Sequence, residues 1–396
     1  MDIIVQKYGG SSLADTDKIK EIAKKISNKV EQGNKLAVVV SAMGDTTDEL
    51  EKLAEDVSQN PSAREMDMLI TTGEQVSASL VSMALNERDI DALSLNAFQA
   101  EIATNEAHNQ ASIEKINSKK LKEYFGEYEV LIITGFQGIS SEGHITTLGR
   151  GGSDTSAVAI AAALDAPCEI YSDFAGIFTT DPRHYSEAKK IKQISYDEIL
   201  EMARLGSNVL HPRAVEIAKK YNVTLYCGGT FSEEEGTTIT SEPLEKSVVT
   251  GLSIMDNQTQ VTISNLPPDH IVVNEMFKYM GRKHVNIDMI SIINIDNSIN
   301  LSFSYVETDQ EYFKQALKDF QKDFKDSNIR HKHNYTKVSV VGLGMRSEKG
   351  VASRFFTALE DVPIELVTTS EIKISCLIDK KYKEEALQSL AEEFDL

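Results

Sequence analysis

The chain has 396 residues, enough for two or three domains, and its hydrophobic and charged fractions of 41% and 26% are ordinary for a globular protein. Its formal net charge of −20 disfavours binding to nucleic acid or to acidic membranes, because such a surface repels polyanions. A binding site for an anionic ligand must therefore be a local positive region in this chain.

Three cysteines, Cys168, Cys227 and Cys376, lie far apart in apolar, strand-like runs. No Cys-x-x-Cys motif or Cys/His cluster suggests zinc, so we expect buried free thiols in a reducing compartment. The N-terminus lacks a basic stretch followed by an apolar core, and no run of 18 apolar residues occurs in the sequence. These features predict a cytoplasmic protein.

The first 245 residues alternate short β-branched runs with helical patterns. Strands are predicted at residues 3–5, 36–40, 130–134, 169–171 and 223–226. Helices are predicted at residues 16–30, 64–86, 153–164, 196–205 and 213–221. Residues 139–146 are typical of a hairpin that turns through Glu142-Gly143. The alternation predicts an α/β domain with a mainly parallel central sheet between helices.

Beyond residue 245, the order strand, helix, strand, strand, helix occurs twice. This repeat predicts two ferredoxin-like α+β units, at 248–332 and 333–396, with insertion of the first unit into the second as a variant of the same plan. The domains are therefore predicted at 1–245, 248–332 and 333–396. Two unrelated α+β units are the alternative, and the matched order argues against it.

A first candidate site lies where the first strand meets the first helix, at Lys7-Tyr8-Gly9-Gly10-Ser11-Ser12. Glycines let backbone N–H groups approach a phosphate, the following helix N-terminus adds partial positive charge, and Lys7 supplies a full one. A Gly-Gly turn that only reverses the chain is the simpler interpretation. The sequence contains no Gly-Lys pair, which excludes an ordinary P-loop.

A second candidate is Gly149-Arg150-Gly151-Gly152-Ser153-Asp154, which leads into an apolar helix. Ser153 and Asp154 could serve only as helix N-caps. The three glycines and the arginine favour an anion site with a bidentate carboxylate clamp. A third candidate, residues 171–183, runs from a strand end into a turn with an aromatic residue, two acids and an arginine, which suits a purine nucleotide.

Together these motifs resemble the aspartate kinases, members of the amino-acid-kinase fold. The resemblance covers nearly the whole chain and is carried by eight segments in the family's order. They are residues 7–12, Ser-Ala-Met-Gly at 41–44, Thr-Gly-Glu at 72–74, residues 149–154, Thr-Thr-Asp-Pro-Arg at 179–183, Val-Leu-His-Pro at 209–212, and the tail segments 342–347 and 369–375. The tail resembles the second ACT domain of these enzymes.

The resemblance implies that ATP phosphorylates the β-carboxylate of L-aspartate, with Mg2+ bridging the ATP phosphates and no dedicated metal ligands in the protein. Lys7 and Asp154 would be catalytic. Aspartate would be bound by Ser41, Thr47, Glu74, Arg150 and Ser153. ATP would be bound by Lys7, Gly9, Gly10, Ser11, Ser172, Asp173, Phe178, Arg183, Asn208 and Val209.

The resemblance also implies feedback by a pathway amino acid, lysine and as a second candidate threonine, and a homodimer or higher oligomer formed through the ACT domains. The effector would contact Met345, Ser347, Ile364, Ser370 and Glu371. No nucleic acid or membrane partner is expected.

Two departures from the family pattern concern ATP and the effector. Asn208 stands where the family often has a nucleotide-contacting lysine. In the first ACT unit, residues 265–270 replace an Asp-x-Pro-Gly turn and Ile292-Ile293 replace a Gln-Asn pair, so this unit's effector site is expected to be degenerate. Two other functions stay open: a different amino-acid kinase, such as glutamate 5-kinase or acetylglutamate kinase, and a catalytically dead amino-acid sensor.

Overall fold

The chain folds into two compact units. The computed structural model describes residues 2–206, 210–241, 247–283, 285–295 and 298–396. Unit 1 comprises Met1–Ile177, Lys190–Ala203 and Asn208–Leu244, and unit 2 comprises Phe178–Lys189, Arg204–Ser207 and Glu245–Leu396. None of the helices in these described ranges is long and apolar enough to cross a membrane.

Unit 1 alternates strands with helices, as the sequence pattern predicts. Its strands are β1 (Ile3–Tyr8), β2 (Lys35–Val40), β3 (Ala92–Leu95), β4 (Ile102–Thr104), β5 (Ile113–Ile116), β6 (Val130–Thr134), β7 (Gln137–Ile139), β8 (Ile145–Thr147), β9 (Cys168–Ser172), β10 (Gln193–Ser195), β11 (Leu225–Gly229) and β12 (Thr237–Thr240). Its helices are α1 (Thr16–Glu31), α2 (Thr46–Val57), α3 (Ala63–Ile70), α4 (Thr72–Asn86), α5 (Ser118–Tyr124), α6 (Gly152–Leu164), α7 (Tyr196–Arg204) and α8 (Pro212–Tyr221).

In the described residues of unit 1, eight strands form the central sheet in the order β10-β12-β11-β9-β1-β2-β6-β3. Every pair is parallel except β11 with β12. Parallel strands with helices on both faces are buried on both sides, and the five residues of β2 from Leu36 onward are all buried. A smaller sheet, β5-β4-β7-β8, contains the predicted hairpin as β7 and β8.

Helix α1 shows why these segments fold as they do. Asp15 caps its N-terminus by accepting hydrogen bonds from Asp17 N and Lys18 N. Apolar residues at helical spacing, including Ile19, Ile22 and Ile26, are buried against the sheet.

The prediction of one helix over residues 64–86 is wrong, because α3 and α4 are separate helices that meet at Thr71. The Thr71 hydroxyl donates to Asp67 O at 2.8 Å and closes the first helix. A Cβ on Gly73 would lie 2.7 Å from the Ala42 side chain, so the second helix begins where only glycine fits. The break brings the first turn of α4 against the end of β2. Helix α2, which the sequence patterns did not predict, buries none of its residues.

In its described residues, unit 2 contains one six-stranded antiparallel sheet with helices. Its elements are β13 (Gly251–Leu266), α9 (His270–Arg282), β14 (Asp288–Ile295), β15 (Ser298–Val306), α10 (Gln310–Asp323), β16 (Asn328–Val341), α11 (Val351–Ala358), β17 (Ile364–Thr369), β18 (Lys373–Asp379) and α12 (Lys383–Phe394). The strand order is β14-β15-β13-β16-β18-β17.

Strands β13 and β16 are long and pair with each other along both halves of this sheet, the half with β14 and β15 and the half with β17 and β18. The second half of β13 pairs with β15, and the second half of β16 pairs with β18. The register of β13 against β16 shifts around Asp256, whose carboxylate accepts hydrogen bonds from Thr336 Oγ1 at 2.7 Å and Lys383 Nζ at 2.8 Å. Two separate hydrophobic cores result, one with α9 and α10 and the other with α11 and α12.

The core beneath α10 depends on aromatic packing. Phe313 is fully buried and stacks on Tyr305, with ring centroids 4.1 Å apart. Its neighbour Tyr312 is 60% exposed. We predict that Phe313→Ala lowers the free energy of unfolding of unit 2 by about 3–5 kcal/mol, through lost burial and the cavity left behind. Urea unfolding followed by circular dichroism measures the loss. Tyr312→Ala is the matched control, and equal losses for the two variants would contradict this account of the core.

Candidate functional site

The candidate site lies at one edge of the central sheet in unit 1. The segments after β1, β2, β6, β9 and β11 all leave the sheet at the carboxyl ends of parallel strands. In open α/β sheets this edge is where ligands bind, because the strand ends and the helix N-termini meet there. Lys7 stands one residue before the end of β1, and Ser41 directly follows β2.

Lys7 and Asp154 form an ion pair at this edge. The Lys7 Nζ–Asp154 Oδ1 distance is 2.7 Å, and the two side chains are only 12% and 14% exposed. Asp154 lies in the first turn of α6, where the partial positive charge of the helix N-terminus also favours a carboxylate. Lys7 is held beside Gly9: a Cβ on this glycine would be 3.4 Å from Nζ.

The turn before α6 is built from glycines because its backbone is left-handed on both sides of Arg150. Gly149 has φ +78° and Gly151 has φ +69°, a region that side chains other than glycine rarely adopt. Arg150 is exposed, and among the described residues its guanidinium has no hydrogen-bond or ionic partner. Ser153 approaches Gly135 so closely that a Cβ on the glycine would lie 2.8 Å from its Oγ.

Glu74 is a buried acid in the first turn of α4. It is 3% exposed, and its Oε1 accepts a hydrogen bond from Ala42 N at 3.2 Å. Oε2 is buried with no hydrogen-bond partner among the described residues. Burial raises the pKa of Glu74 to about 7, against the opposing effect of backbone N–H groups from Glu74 and Ala42. An unsatisfied buried carboxylate oxygen beside a cleft suits a cationic ligand group.

These side chains line one cleft of about 270 Å³. The predicted site residues that it brings together are Lys7, Gly10, Ser41, Thr47, Glu74, Arg150, Ser153 and Asp154. Six further residues line the cleft, namely Gly149, Gly151 and Gly152 of the predicted anion site, and Ala42, Gly44 and Phe136, which had no predicted role. Phe136 follows β6 at the same sheet edge, so the rule that ligands bind at the carboxyl ends of parallel strands could have found it.

The two segments predicted to contact nucleotide lie side by side. Gly9 N donates a hydrogen bond to Tyr171 O at 3.4 Å. Tyr171 directly precedes Ser172, so this bond links the two segments. Thr230, which sequence reasoning missed, joins them further: its Oγ1 lies 2.6 Å from Ser12 Oγ and donates to Ser172 O at 3.1 Å. Ser11 and Asp173 are exposed beside these contacts.

Of the four remaining predicted nucleotide contacts, two belong to unit 2 and two lie outside the described residues. Phe178 and Arg183 belong to unit 2, where Arg183 Nη2 contacts Asp181 Oδ2 at 2.6 Å. Asn208 and Val209 lie outside the described residues. Their roles stay predictions.

Most, but not all, of the predicted effector residues of unit 2 lie on two neighbouring segments. Arg346 Nε lies 3.2 Å from Glu371 Oε2, which brings the 3-10 turn at Leu343–Arg346 beside the segment after β17. Ser347 Oγ donates to Gly344 O at 3.2 Å within the first segment, and Ser370 N donates to Lys373 O at 2.8 Å in the second. Met345 lies in the 3-10 turn, whereas Ile364 begins β17 at its other end.

A possible metal-ligand cluster among the described residues lies outside the cleft lining. Glu106, Glu142 and His144 offer ligand atoms within 4.8 Å of one another, but both acids are exposed. Ser141 Oγ and Glu142 N already donate to Glu106 Oε1. Exposed acids that accept such hydrogen bonds need no ion, so this cluster is a structural feature of the β7–β8 hairpin.

A family model described as "Amino acid kinase family" matches residues 2–229, and one described as "ACT domain" matches residues 338–394. The first match covers more than half of the chain. The chain therefore belongs to the amino acid kinase family.

Highly similar sequences are members of one branch of this family, the aspartokinases. Aspartokinase from Geobacillus stearothermophilus is 45% identical over 403 residues, covering 100% of this chain and 98% of the relative. Aspartokinase 2 from Bacillus subtilis (strain 168) is 42% identical with the same coverage. The crystal structure of E. coli aspartokinase III in complex with aspartate and ADP shares the fold, with a TM-score of 0.81, 24% identity and 100% of both chains covered.

Within the amino acid kinase family, the chain belongs to the aspartokinases. This confirms the fold class predicted from the motifs, an amino-acid-kinase fold followed by an ACT-containing region, and the predicted aspartate kinase activity. As an ATP-using kinase, the enzyme is expected to need a divalent metal ion.

The raised pKa of Glu74 gives a stability prediction. Because the folded-state pKa of about 7 exceeds the ordinary value of 4.5, stability falls as pH rises through this range and the penalty is fully present above it. At about 1.4 kcal/mol per pKa unit, Glu74→Gln should stabilise unit 1 at pH 8 by up to about 3 kcal/mol, a gain that shrinks toward pH 5. Urea unfolding at both pH values measures it. The exposed Glu65→Gln is the control, and a gain independent of pH would rule out this cause.

Proposed function

We propose that the enzyme transfers the γ-phosphate of ATP to the β-carboxylate of L-aspartate within the Lys7–Asp154 cleft, yielding 4-phospho-L-aspartate. This reaction is the first step of lysine, threonine and methionine biosynthesis. The observation that supports this placement most directly is the ion pair between Lys7 and Asp154 in a cleft that also contains Glu74 and Arg150.

Aspartate carries one ammonium and two carboxylates, and the cleft offers a matching set of groups. We assign the ammonium to Glu74, whose Oε2 is buried without a partner among the described residues. The α-carboxylate is assigned to Arg150, since a guanidinium binds a carboxylate through two parallel hydrogen bonds. The β-carboxylate is assigned to the hydroxyl groups of Ser41, Thr47 and Ser153, which line the same cleft.

ATP is assigned to the neighbouring strand ends. Backbone N–H groups of the Gly9-Gly10-Ser11 turn would bind its phosphates, with Lys7 beside them. Ser172 and Asp173 at the end of β9 would contact the nucleoside, joined by Phe178 and Arg183. The proposed contacts of Asn208 and Val209 concern residues outside the described part of the chain.

Positioning and charge neutralisation suffice for this reaction, because a carboxylate nucleophile needs no general base. Lys7 would neutralise charge on the transferring phosphoryl group, and Asp154 would hold the lysine ammonium in place. We propose Mg2+ as the divalent ion, which would neutralise charge on the ATP phosphates. Asp154 already contacts Lys7, and Glu74 is buried beside Ala42 N, so the cleft fits an ion held mainly by ATP oxygens.

The substrate assignment is tested by a phosphoryl-transfer assay with aspartate, with glutamate and without acceptor. We predict turnover with aspartate only, and a loss on the order of a thousandfold or more in kcat for Lys7→Ala, because a full charge is removed from the transition state.

Lys20→Ala is the matched control, since this lysine lies on α1 with a side chain that is 71% exposed. Preference for glutamate would identify a different amino-acid kinase. Absence of turnover in the folded wild-type chain would identify a sensor. Near-normal kcat in folded Lys7→Ala would remove Lys7 from the mechanism.

We propose the domain boundaries 1–245, 248–332 and 333–396, with the first ACT unit inserted into the second. The support is the register shift near Asp256 and the two separate cores that flank it. The insertion moves residues 251–255 of β13 from the first of these ranges to the second unit, because they pair with β16 residues 337–341.

The ACT units are also proposed to pair between two chains. In the edge strand β14, Ile290, Ile292, Ile293 and Ile295 are 47–53% exposed, and an exposed apolar edge favours pairing with another strand. The effector would bind at this interface near Met345, Ser347, Ile364, Ser370 and Glu371. Ile292 and Ile293 offer no polar group, so the first unit would hold an amino-acid effector weakly.

We predict that lysine inhibits the enzyme, with threonine as a second ligand, through a coupling of about 1–3 kcal/mol. Titrating both amino acids, singly and together, into the aspartate kinase assay measures this coupling, and sedimentation measures the oligomeric state. Ser370→Ala combined with Glu371→Gln should weaken inhibition without changing uninhibited kcat. Strong two-site inhibition that survives this double change would place the effector elsewhere, and a monomer in solution would remove the interface.

A further inference from the structure

The turn that carries Arg150 has one backbone hydrogen bond of its own, from Gly152 N to Gly149 O at 3.0 Å, and this bond does not reach the arginine side chain. Left-handed glycines stand on both sides of Arg150, and glycine has more backbone freedom than any other residue. The arginine is exposed, and no side chain in the described ranges pairs with its guanidinium. Whatever fixes the direction of Arg150 must therefore act on the backbone of the turn.

Arg213, near the start of α8, provides such a contact. Its Nη1 donates to Leu148 O at 2.9 Å, immediately before the turn, and its Nη2 donates to Ala111 O at 2.8 Å. Ala111 N in turn donates to Thr147 O at 2.8 Å. The planar guanidinium thus joins two backbone segments with a fixed spacing, a geometry that a lysine cannot reproduce.

His211 supports the other side of the same turn. A Cβ on Gly151 would lie 2.3 Å from the Cγ atom of the His211 ring, so the ring packs directly against the glycine backbone. Pro212 follows as the first residue of α8, where its restricted φ favours the helix start. The His-Pro-Arg segment therefore contacts the turn at both ends, at Leu148 and at Gly151.

A buried carboxylate completes this support. Asp67 is fully buried and accepts hydrogen bonds from Thr147 Oγ1 at 2.6 Å and from Asn109 N at 3.2 Å. A Cβ on Gly149 would lie 2.8 Å from Asn109 O, so the Asn109 backbone is packed against the turn.

We propose that Arg213 is a positioning residue for aspartate binding. By holding Leu148 O and Ala111 O, it directs the Arg150 guanidinium toward the substrate's α-carboxylate without touching the substrate itself. Arg213 is absent from the cleft lining, whereas Arg150 belongs to it. The inference rests on the proposed role of Arg150.

The test is a double-mutant cycle of Arg213→Lys with Arg150→Lys. Arg213→Lys should raise KM for aspartate on the order of tenfold, since a small misplacement of a binding group has effects of this size or larger. KM for MgATP should change less than about twofold, because the described nucleotide segments, residues 9–11 and 172–173, share no hydrogen bond with Arg213. Arg150→Lys alone should also raise KM for aspartate. The double variant should be no worse than Arg150→Lys alone, because Arg213 acts through Arg150.

Arg213→Met extends the series by removing all donors, and thermal melting checks that each variant folds. Arg88→Met is the matched control, because Arg88 donates to Ser27 Oγ in unit 1 and makes no contact with the turn. A lowered melting temperature with unchanged KM for aspartate would show a purely structural role and overturn the inference.

Different results would contradict the role proposed for Arg150 and the role proposed for Arg213. If Arg150→Lys raises KM for aspartate and Arg213→Lys does not, only the positioning role falls. If Arg150→Lys leaves KM for aspartate unchanged, the proposed role of Arg150 falls as well. Additive effects in the double variant would show that Arg213 acts on another group.

Discussion

The ion pair between Lys7 and Asp154 is the contact on which the rest of the site depends. It joins two glycine-rich segments that are almost 150 residues apart in the sequence, one at the end of β1 and one at the start of α6. Both side chains are mostly buried, and a buried charge is stable only beside an opposite charge or hydrogen-bond donors. The register of β1 between β2 and β9 and the position of α6 must therefore agree closely for the cleft to form.

The same constraint resolves a conflict between the acidic chain and its anionic substrates. A net charge of −20 repels ATP and aspartate at long range, but salt screens exposed charges beyond about 10 Å. Close to the sheet edge, Lys7 is paired with Asp154, so local positive charge comes mainly from the exposed guanidinium of Arg150 and the backbone N–H groups at the start of α6. In the proposed site, buried Glu74 would supply the negative group for the substrate's ammonium. Recognition thus depends on short-range positions rather than on overall charge.

In unit 2, the two halves of the sheet are connected by shared strands rather than by a side-chain ion pair. β13 and β16 each run through two halves of one sheet, so the two halves share the same two strands, although the pairing of these strands shifts register between Met255 and Gln260. Asp256, held by Thr336 and Lys383, occupies the point where the register shifts. A sheet built in this way provides a physical route for an effector bound in one half to alter the other.

Much of this protein could be read from local sequence. Hydrophobic periodicity predicted most strands and helices, because burial on one or both faces leaves a repeating signature. The glycines beside Lys7 and Arg150 marked two turns that the structure places at the cleft, because few other residues allow such close backbone approach. Motif order identified the aspartate kinases, and eight of the predicted residues indeed meet in one cleft.

Tertiary structure alone decided the features that depend on contacts distant in sequence. The break between α3 and α4 arises where Gly73 meets Ala42, a contact that no local pattern encodes. Three other features likewise appear only when separate strands and helices pack together. They are the buried Oε2 of Glu74, the hydroxyl contact between Ser12 and Thr230, and the hydrogen bond from Arg213 to Leu148 O. The sequence determined which residue types stand at the ends of strands and helices. Their chemistry was set by the neighbours that folding brought to them, because burial and hydrogen-bond partners are properties of the assembled core.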